Sequence, residues 1–459
     1  MGLALGIVGQ GWAPDIGGVE SHTRDLVREL GQRGHRAHVL ALDLAEGLEP
    51  YSLATRTHEG VEVARMAYRY HDHRALLDLV ENPRATAVLL GWLRARSLDV
   101  VHVHHASGWG LSILPAIAGT GTPVVMTLHD YWALCPRGQM LRTDGEVCRA
   151  ASPARCAPCL AATWPHLMPS GRGGTRAEDE AAAGARTEHA LRCLRAARRL
   201  FTPSAATRTA YAEAGLAPDS IQVVENGIDV EELAREVARL RAAAPPHSEL
   251  RLGVLGTVLP SKGALELARA VVAADVPGLV LEIHGNQPSY HGDRRYLDEL
   301  ATLAGRDPRV RLCGPFEHER LAEILARVDG VAAPSRWNEV YGLTVREARA
   351  AGLPVLVSSA GALPEVTASG TAGLVVPAED TQAWVAALRR FANPAQRAVW
   401  AAHVQRPRSA RTMALELERA YVDVVRAAGR RLPELEFVAG EEARVPERGR
   451  GWLRRLFGG

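Results

Sequence analysis

The segment PSRWNEVYGLTVREARAAGLPVL, residues 334–356, places two glutamates eight positions apart, Glu339 and Glu347, on either side of Gly342 and Leu343. It reads as a strand end (331–334), a loop (335–342) and a helix from Leu343 to Ala351 closed by Gly352. At such a helix start the amides of Leu343 and Thr344 have no partner within the helix and can hold an anion, most naturally a diphosphate. Glu347, read as a first-turn acid favoured by the helix dipole, can accept hydrogen bonds from sugar hydroxyls. An isolated pair of this kind is equally a first-turn acid and a solvated loop acid, so the other polar groups of the chain decide between the readings.

Two further clusters carry chemistry. His102, His104 and His105 follow one apolar strand and His129 follows the next, in TLHDYW. The first three cross a strand end without helical spacing or an adjacent carboxylate, which argues against a metal site there and for loop residues at a cleft. Taken alone, His129 is an ordinary strand-end imidazole. Cys135, Cys148, Cys156 and Cys159 are separated by twelve, seven and two residues within a Gly-, Pro- and Arg-rich stretch. That spacing is compatible with a structural zinc site, four free thiols in a loop being the other reading. Cys193 and Cys313 stand in apolar surroundings and read as inert core residues.

These groups need a scaffold that brings strand ends together. Residues 3–42 read as strand, glycine-containing loop, helix and strand. Short apolar strands recur from Val100, Pro123, Arg199 and Ile221, with helical stretches between them. After AREVARLRAAAPPHSEL the alternation starts again with LRLGVLGTV, LVLEIHGN, VRLCGPF, GVAAPS, LPVLVSS and AGLVVP. Alternation of this kind predicts an α/β protein of two doubly wound parallel-sheet domains, with ligand at the carboxyl ends of the strands. The boundaries read as a first domain 1–229 with a cysteine-rich insertion at 135–159, a linker 230–248, a second domain 249–395, helices over 396–428 that pack back on the first domain, and a disordered tail 429–459.

Composition narrows the function classes. The chain has 459 residues, 47% of them hydrophobic, with 54 Lys and Arg against 52 Asp and Glu. A formal charge of +2 with dispersed arginines does not favour nucleic acid. No apolar run reaches the roughly 18 residues a membrane span needs, and the apolar N-terminus has no basic leader. A soluble cytoplasmic protein is expected. The tail RVPERGRGWLRRLFGG combines arginines with apolar residues and could make weak peripheral contact with the inner face of a membrane.

The segment of the two glutamates, followed by GALPEV and GTAGLVVPAED, resembles the donor-binding segment of the retaining glycosyltransferases of family 4, which have the GT-B fold. GGVESHTRDLVREL, TLHDYW, FTPSAATR, VVENGID and GTVLPSKGALEL match in family order, over about residues 1 to 395. The resemblance implies that Glu339 contacts the transferred sugar and Glu347 the ribose. Amides of Gly342, Leu343 and Thr344, helped by Lys262, would hold the diphosphate, with Gly17 and Gly18 closing over it and Asn226 at the donor. His129 would lie beside the donor sugar, and Glu365 would support the donor loop. The family's Arg after the first glycine of the second domain is here Thr257, so a phosphate contact is either lost or supplied by another residue, for example Arg336. The insertion following TLHDYW would overhang the acceptor, making Tyr131, Trp132 and Arg137 acceptor candidates, with Tyr131 and Trp132 equally readable as core, and His104 or His105 at the cleft is a further acceptor candidate.

The reaction that the resemblance implies is metal-independent transfer of a hexose-type sugar from a nucleoside diphosphate donor to a glycan, lipid-linked or other acceptor, with no cofactor required for catalysis. Synthesis of a bacterial surface polysaccharide or glycoconjugate is the expected setting. A nucleotide-sugar epimerase sharing the fold is the alternative enzyme, and a degenerate binding protein, hinted at by Thr257, the non-enzyme one.

Overall fold

The computed structural model describes residues 2–12, 17–70, 73–245, 248–290, 292–367 and 370–430. The arginine-rich tail lies outside the described residues from position 431 onward. The first body is an eight-stranded sheet of β1 (Ala4–Val8), β2 (Arg36–Asp43), β3 (Leu53–His58), β4 (Val61–Ala67), β5 (Val100–Val103), β6 (Val124–Thr127), β7 (Arg199–Thr202) and β8 (Ile221–Val223). Its order is β3-β4-β2-β1-β5-β6-β7-β8. Only β3 runs antiparallel to its neighbour. This edge hairpin escaped the sequence reading because β3 is largely exposed and has no apolar alternation to mark it.

The second body is a six-stranded parallel sheet of β9 (Leu250–Leu255), β10 (Leu279–His284), β11 (Val310–Gly314), β12 (Gly330–Ala333), β13 (Val355–Ser358) and β14 (Gly373–Val376), in the order β11-β10-β9-β12-β13-β14. Helices cover both sheets, so the central strands are buried along their length and read as continuous Val- and Leu-rich runs.

The expected linker is mostly helix. Val230–Ala243 is capped by Asp229, whose side chain accepts from the Glu232 amide. Val237, with Leu233 and Leu240 beside it, packs into an apolar cluster of the second body. Charged residues on the outer face obscured that helical period.

Of the C-terminal helices, Pro394–Ala402 packs on Thr381–Ala392 of the second body, whereas Ala410–Ala427 lies across Gly18–Gln32 of the first. Met413, Leu417 and Tyr421 share one apolar cluster there with Leu26, Val27 and Leu30. The chain thus passes between the bodies twice, and the two passes touch. Ile228 bridges Ser409, and a Cβ on Gly227 would stand 2.4 Å from the Ala410 Cα. Only glycine permits that approach.

The returning helix is also held by charge. Glu418, almost fully buried, accepts from Arg33 at 2.7 Å and pairs with His35 at 2.8 Å. Burial raises the pKa of this carboxyl, but the His35 and Arg33 hydrogen bonds outweigh that and hold it below the ordinary value. Removing one partner strands the others, and Glu418→Ala is expected to cost about 3 kcal/mol of stability. Because the folded pKa is depressed, this contribution is present above the unfolded carboxyl pKa and is lost as pH falls through the folded value. Urea unfolding at pH 7 and pH 4 checks both points: a loss at pH 7 that shrinks on acidification is expected, and equal stability of variant and parent at pH 7 contradicts it.

Candidate active site

The two bodies face each other across a cleft at the carboxyl ends of their strands. A cavity of about 400 Å³ there is lined by Gly18 and His129 from the first body and by Thr257, Lys262, Glu339 and Gly342–Thr344 from the second. A second cavity, also about 400 Å³, holds Glu347 together with Arg24, Asp25, Arg28, Glu232 and His318. Asn226 and Leu343 line both, so the two spaces adjoin at the start of the helix Leu343–Ala350.

Local chain geometry explains how these groups converge. Gly342 opens the helix with φ +72° and no side-chain cap. That left-handed conformation favours glycine, and an added Cβ would also lie 2.8 Å from a terminal methyl of Leu363. The uncapped amides of Leu343 and Thr344 are left for a ligand. The loop carrying Lys262 is pinned to the loop carrying Glu339. The Ser261 carbonyl accepts from the Arg336 amide at 2.8 Å and the Trp337 amide at 3.3 Å, and Lys262 Nζ stands 5.1 Å above the Trp337 ring.

Glu339 is buried, with Lys262 Nζ at 2.5 Å and Ser335 Oγ at 2.7 Å on the same carboxylate oxygen. Ser335 is itself fixed by Ser358, whose hydroxyl donates to the Ser335 carbonyl at 2.6 Å. The ammonium expected to meet a diphosphate is therefore paired with the carboxylate expected to meet the sugar.

Glu347 sits in the second turn of its helix, not the first, so the helix dipole does little for it. Its carboxyl has no hydrogen bond or ion pair with another described residue, and burial, with Asp25 nearby adding repulsion, raises its pKa to about 7. The Asp25 carboxyl is also raised, chiefly by burial, against the pull of Arg28. Sequence reasoning missed Asp25, Ser335 and Trp337. Asp25 lies seven residues after Gly18 on one helix face, a signal that was open to reading, whereas the other two follow from loop geometry alone.

Several expected placements are corrected. Arg336 does not line the cleft cavity: its guanidinium reaches Glu266 at 3.5 Å, Glu379 at 3.3 Å and the Gly145 carbonyl at 3.4 Å, so two carboxylates draw it outward. Tyr131 and Trp132 are core residues, 1% and 8% exposed. Tyr131 stacks near Tyr211, and the Trp132 and Ala133 carbonyls accept from the buried Arg186. His104 is wholly buried and cannot meet an acceptor, and His102 lies inside β5 instead of a loop. His105 is half-buried and bonded to Asp130 at 2.9 Å. Burial lowers its pKa, but Asp130 outweighs that and the net shift is upward. Arg137 crosses to the second body, donating to Tyr290 at 2.9 Å and to Thr163 at 2.7 Å. Glu365 also bridges the bodies, accepting from the Ala206 amide at 3.0 Å.

Gly17 caps the first helix in extended conformation, and the four residues before it lie outside the described ones. Cys193 is buried, but Cys313 is exposed, because it lies on an edge strand with an irregular register. The four clustered cysteines are free. No three of their sulfurs lie within 4.8 Å of one another, and burial first, with the neighbouring cysteines adding to it, raises the thiol pKa of Cys135, Cys148 and Cys156. Cys135 and Cys148 pack on the first core, and Cys156 packs beside Leu160 and Leu167. No described helix is long and apolar enough to cross a membrane.

Known proteins share both the pattern and the fold. Residues 16–232 match the model of Glycosyltransferase Family 4, and residues 249–393 that of Glycosyl transferases group 1. Curated relatives include the D-inositol 3-phosphate glycosyltransferases of Saccharomonospora viridis, 35% identical over 40% of this chain and 44% of that protein, and of Corynebacterium urealyticum, 37% identical over 37% and 42%. The matched part thus spans less than half the length of those relatives. Among solved structures, sucrose-phosphate synthase from Thermosynechococcus elongatus superposes with a TM-score of 0.66 at 18% identity, over 93% of this chain and all of that one. Anabaena HepE in complex with UDP and glucose gives 0.63 at 19%, over 92% and 99%. With one family model on each sheet body and neighbours that share the whole two-body architecture, the chain belongs to glycosyltransferase family 4 and has the GT-B fold.

Proposed function

We propose that the protein is a retaining, metal-independent glycosyltransferase that moves a hexose-type sugar from a nucleoside diphosphate donor to a carbohydrate or lipid-linked acceptor. The observation that carries this is the pair of adjoining cavities, one with Lys262, Glu339, His129 and the Leu343 and Thr344 amides, the other with Glu347. Their join at Asn226 and Leu343 suits a ligand with a sugar at one end, a ribose at the other and a diphosphate between. In this reading the diphosphate takes Lys262 from Glu339, and Glu339 turns to the sugar hydroxyls. The bond from the anomeric carbon to the diphosphate oxygen breaks, and its electron pair stays on that oxygen. Lys262 and the helix amides stabilise the charge. The acceptor hydroxyl adds on the same face, and its proton passes to the departing phosphate.

Support for a uridine donor comes from HepE, a neighbour of the same architecture solved with UDP and glucose. The named curated relatives are D-inositol 3-phosphate glycosyltransferases, which supports a polyol or sugar acceptor in surface glycoconjugate synthesis.

Ribose recognition also sets a pH dependence. The ionised form of Glu347 is the acceptor that a ribose diol needs, and its pKa of about 7 leaves only a minor fraction ionised at pH 6. If that fraction alone binds, affinity rises about tenfold from pH 6 to pH 8. Calorimetry with UDP on the parent and on Glu347→Gln checks it: the slope is expected in the parent and absent in the variant.

The activity itself is tested by incubating the protein with UDP-glucose, with and without simple sugar and inositol phosphate acceptors. Acceptor-dependent UDP release with an α-linked product is expected. Epimerised donor in the absence of acceptor would instead establish the epimerase.

A further inference from the structure

We propose that His104 is a positioning residue that fixes the proton of His129 on Nδ1, so that His129 presents an N–H donor to the sugar-side cavity. This rests on the reading of that cavity as the donor site. His104 Nδ1 and His129 Nε2 are 3.1 Å apart, and no other described residue bonds to the His129 ring. His104 is fully buried, while His129 is half-buried and lines the cavity. Burial holds both imidazoles well below their ordinary pKa, with the neighbouring histidines adding repulsion, so both are neutral at pH 7.

Two neutral rings joined by one hydrogen bond have two proton arrangements. If His129 donates from Nε2, the remaining proton of His104 sits on Nε2, an atom that is buried without a partner. If His104 donates from Nδ1, the same Nε2 carries only a lone pair. A buried N–H without an acceptor is the rarer and costlier of the two. The second arrangement therefore prevails, and the His129 proton goes to Nδ1.

The His104 ring has little freedom to turn. His102 lies against it with ring centroids 3.9 Å apart. His102 is itself held at both nitrogens, by Tyr421 Oη at 2.6 Å and Thr127 Oγ1 at 2.7 Å. His22 meets the His129 ring at 4.7 Å and the His104 ring at 5.3 Å. Tyr421 belongs to the helix that returns from the second body, so the chain's second crossing reaches the imidazole at the cleft through His102 and His104.

The same three rings, His22, His104 and His129, also hold nitrogens within 4.8 Å of one another. A metal-bound imidazole ordinarily gives its outer nitrogen to a carboxylate, carbonyl or water. Here neither nitrogen of His22 and not the outer one of His104 has a protein partner, which favours the proton arrangement over a cation.

The test is nitrogen NMR of the full-length protein labelled with 15N-histidine at pH 8, with His129 assigned through His129→Gln. His129 is expected as the Nδ1–H tautomer in the parent and as a mixture in His104→Leu. In His104→Asn, whose amide can still donate to Nε2, it returns to the parent form. Turnover of UDP-glucose should fall at least about tenfold in His104→Leu with the donor KM little changed, and recover in the asparagine variant. His104→Asn, being polar and smaller than the parent ring, keeps the question open to measurement should the leucine variant fold poorly. A parent His129 protonated at Nε2, a spectrum unchanged by His104→Leu, or stoichiometric metal that this variant loses overturns the proposal. Addition of UDP, GDP, ADP and dTDP separates the two failures. Should none of them perturb the His129 signal, the donor-site reading falls, while the tautomer is decided by the spectra without nucleotide.

Discussion

Lys262→Ala is expected to lower turnover by about 10²- to 10³-fold, the loss typical of removing one preorganised charge-stabilising donor. Its ammonium is the one cationic side chain among the described residues that line the sugar-side cavity, and Arg336, a candidate to share the task, is held outside by Glu266 and Glu379. Thr257 supplies no charge. Among the described residues, leaving-group stabilisation therefore falls to Lys262 and the two helix amides. The variant should also lose its pairing with Glu339, which then remains buried with only Ser335 on that oxygen. Glu339→Gln, which keeps a hydrogen-bond acceptor for Ser335 and removes the charge, should lower turnover more than donor affinity. Steady-state kinetics with donor at saturation checks both. A Lys262→Ala enzyme with turnover within threefold of the parent contradicts this assignment.

Glu347→Ala is expected to weaken nucleotide binding by about 100-fold, with a smaller effect on turnover at saturation. Two hydrogen bonds from a ribose diol to an ionised carboxylate are each worth about 1.5–3 kcal/mol, and part of that is offset by the cost of ionising a buried acid. Burial and Asp25 already oppose that ionisation, so the empty site is destabilised by its own function and the alanine variant should be no less stable than the parent above pH 7. The sign follows from linkage: a carboxyl whose folded pKa is raised costs stability progressively from the unfolded carboxyl pKa up to the folded value of about 7, and in full above it. Titration calorimetry and thermal unfolding on the same sample read the two effects. Nucleotide affinity unchanged by the substitution places the ribose elsewhere.

Much of the fold and of the site was legible in the residues. The apolar runs at Val100, Pro123, Leu252 and Val355 are strands because sheets covered on both faces need continuous burial. Gly342 marks a helix start because its position needs a left-handed backbone. Of the residues that line the sugar-side cavity, His129, Lys262, Glu339 and Gly342–Thr344 were named through the family resemblance, whereas Ser335 and Trp337 were not.

Sequence could not supply side-chain direction beyond a strand end. In TLHDYW, His129 faces the cleft while Tyr131 and Trp132 turn inward, and the choice depends on Tyr211 and Arg186, which are distant in sequence. Pairings across long separations were equally hidden. Glu339 meets Lys262, Arg137 meets Tyr290, and His102 meets Tyr421 over separations that no local period encodes. The helix Val230–Ala243 was missed for the opposite reason: its apolar period was present but sparse among charges.

The central claim is that one nucleoside diphosphate spans both cavities. Calorimetry with UDP, GDP, ADP and dTDP on the parent, Lys262→Ala and Glu347→Ala, alongside the matching nucleosides, tests it most directly. One diphosphate is expected to bind the parent selectively and to be weakened in both variants, with its nucleoside weakened only by Glu347→Ala. Binding of none, or binding that neither substitution disturbs, would contradict that claim.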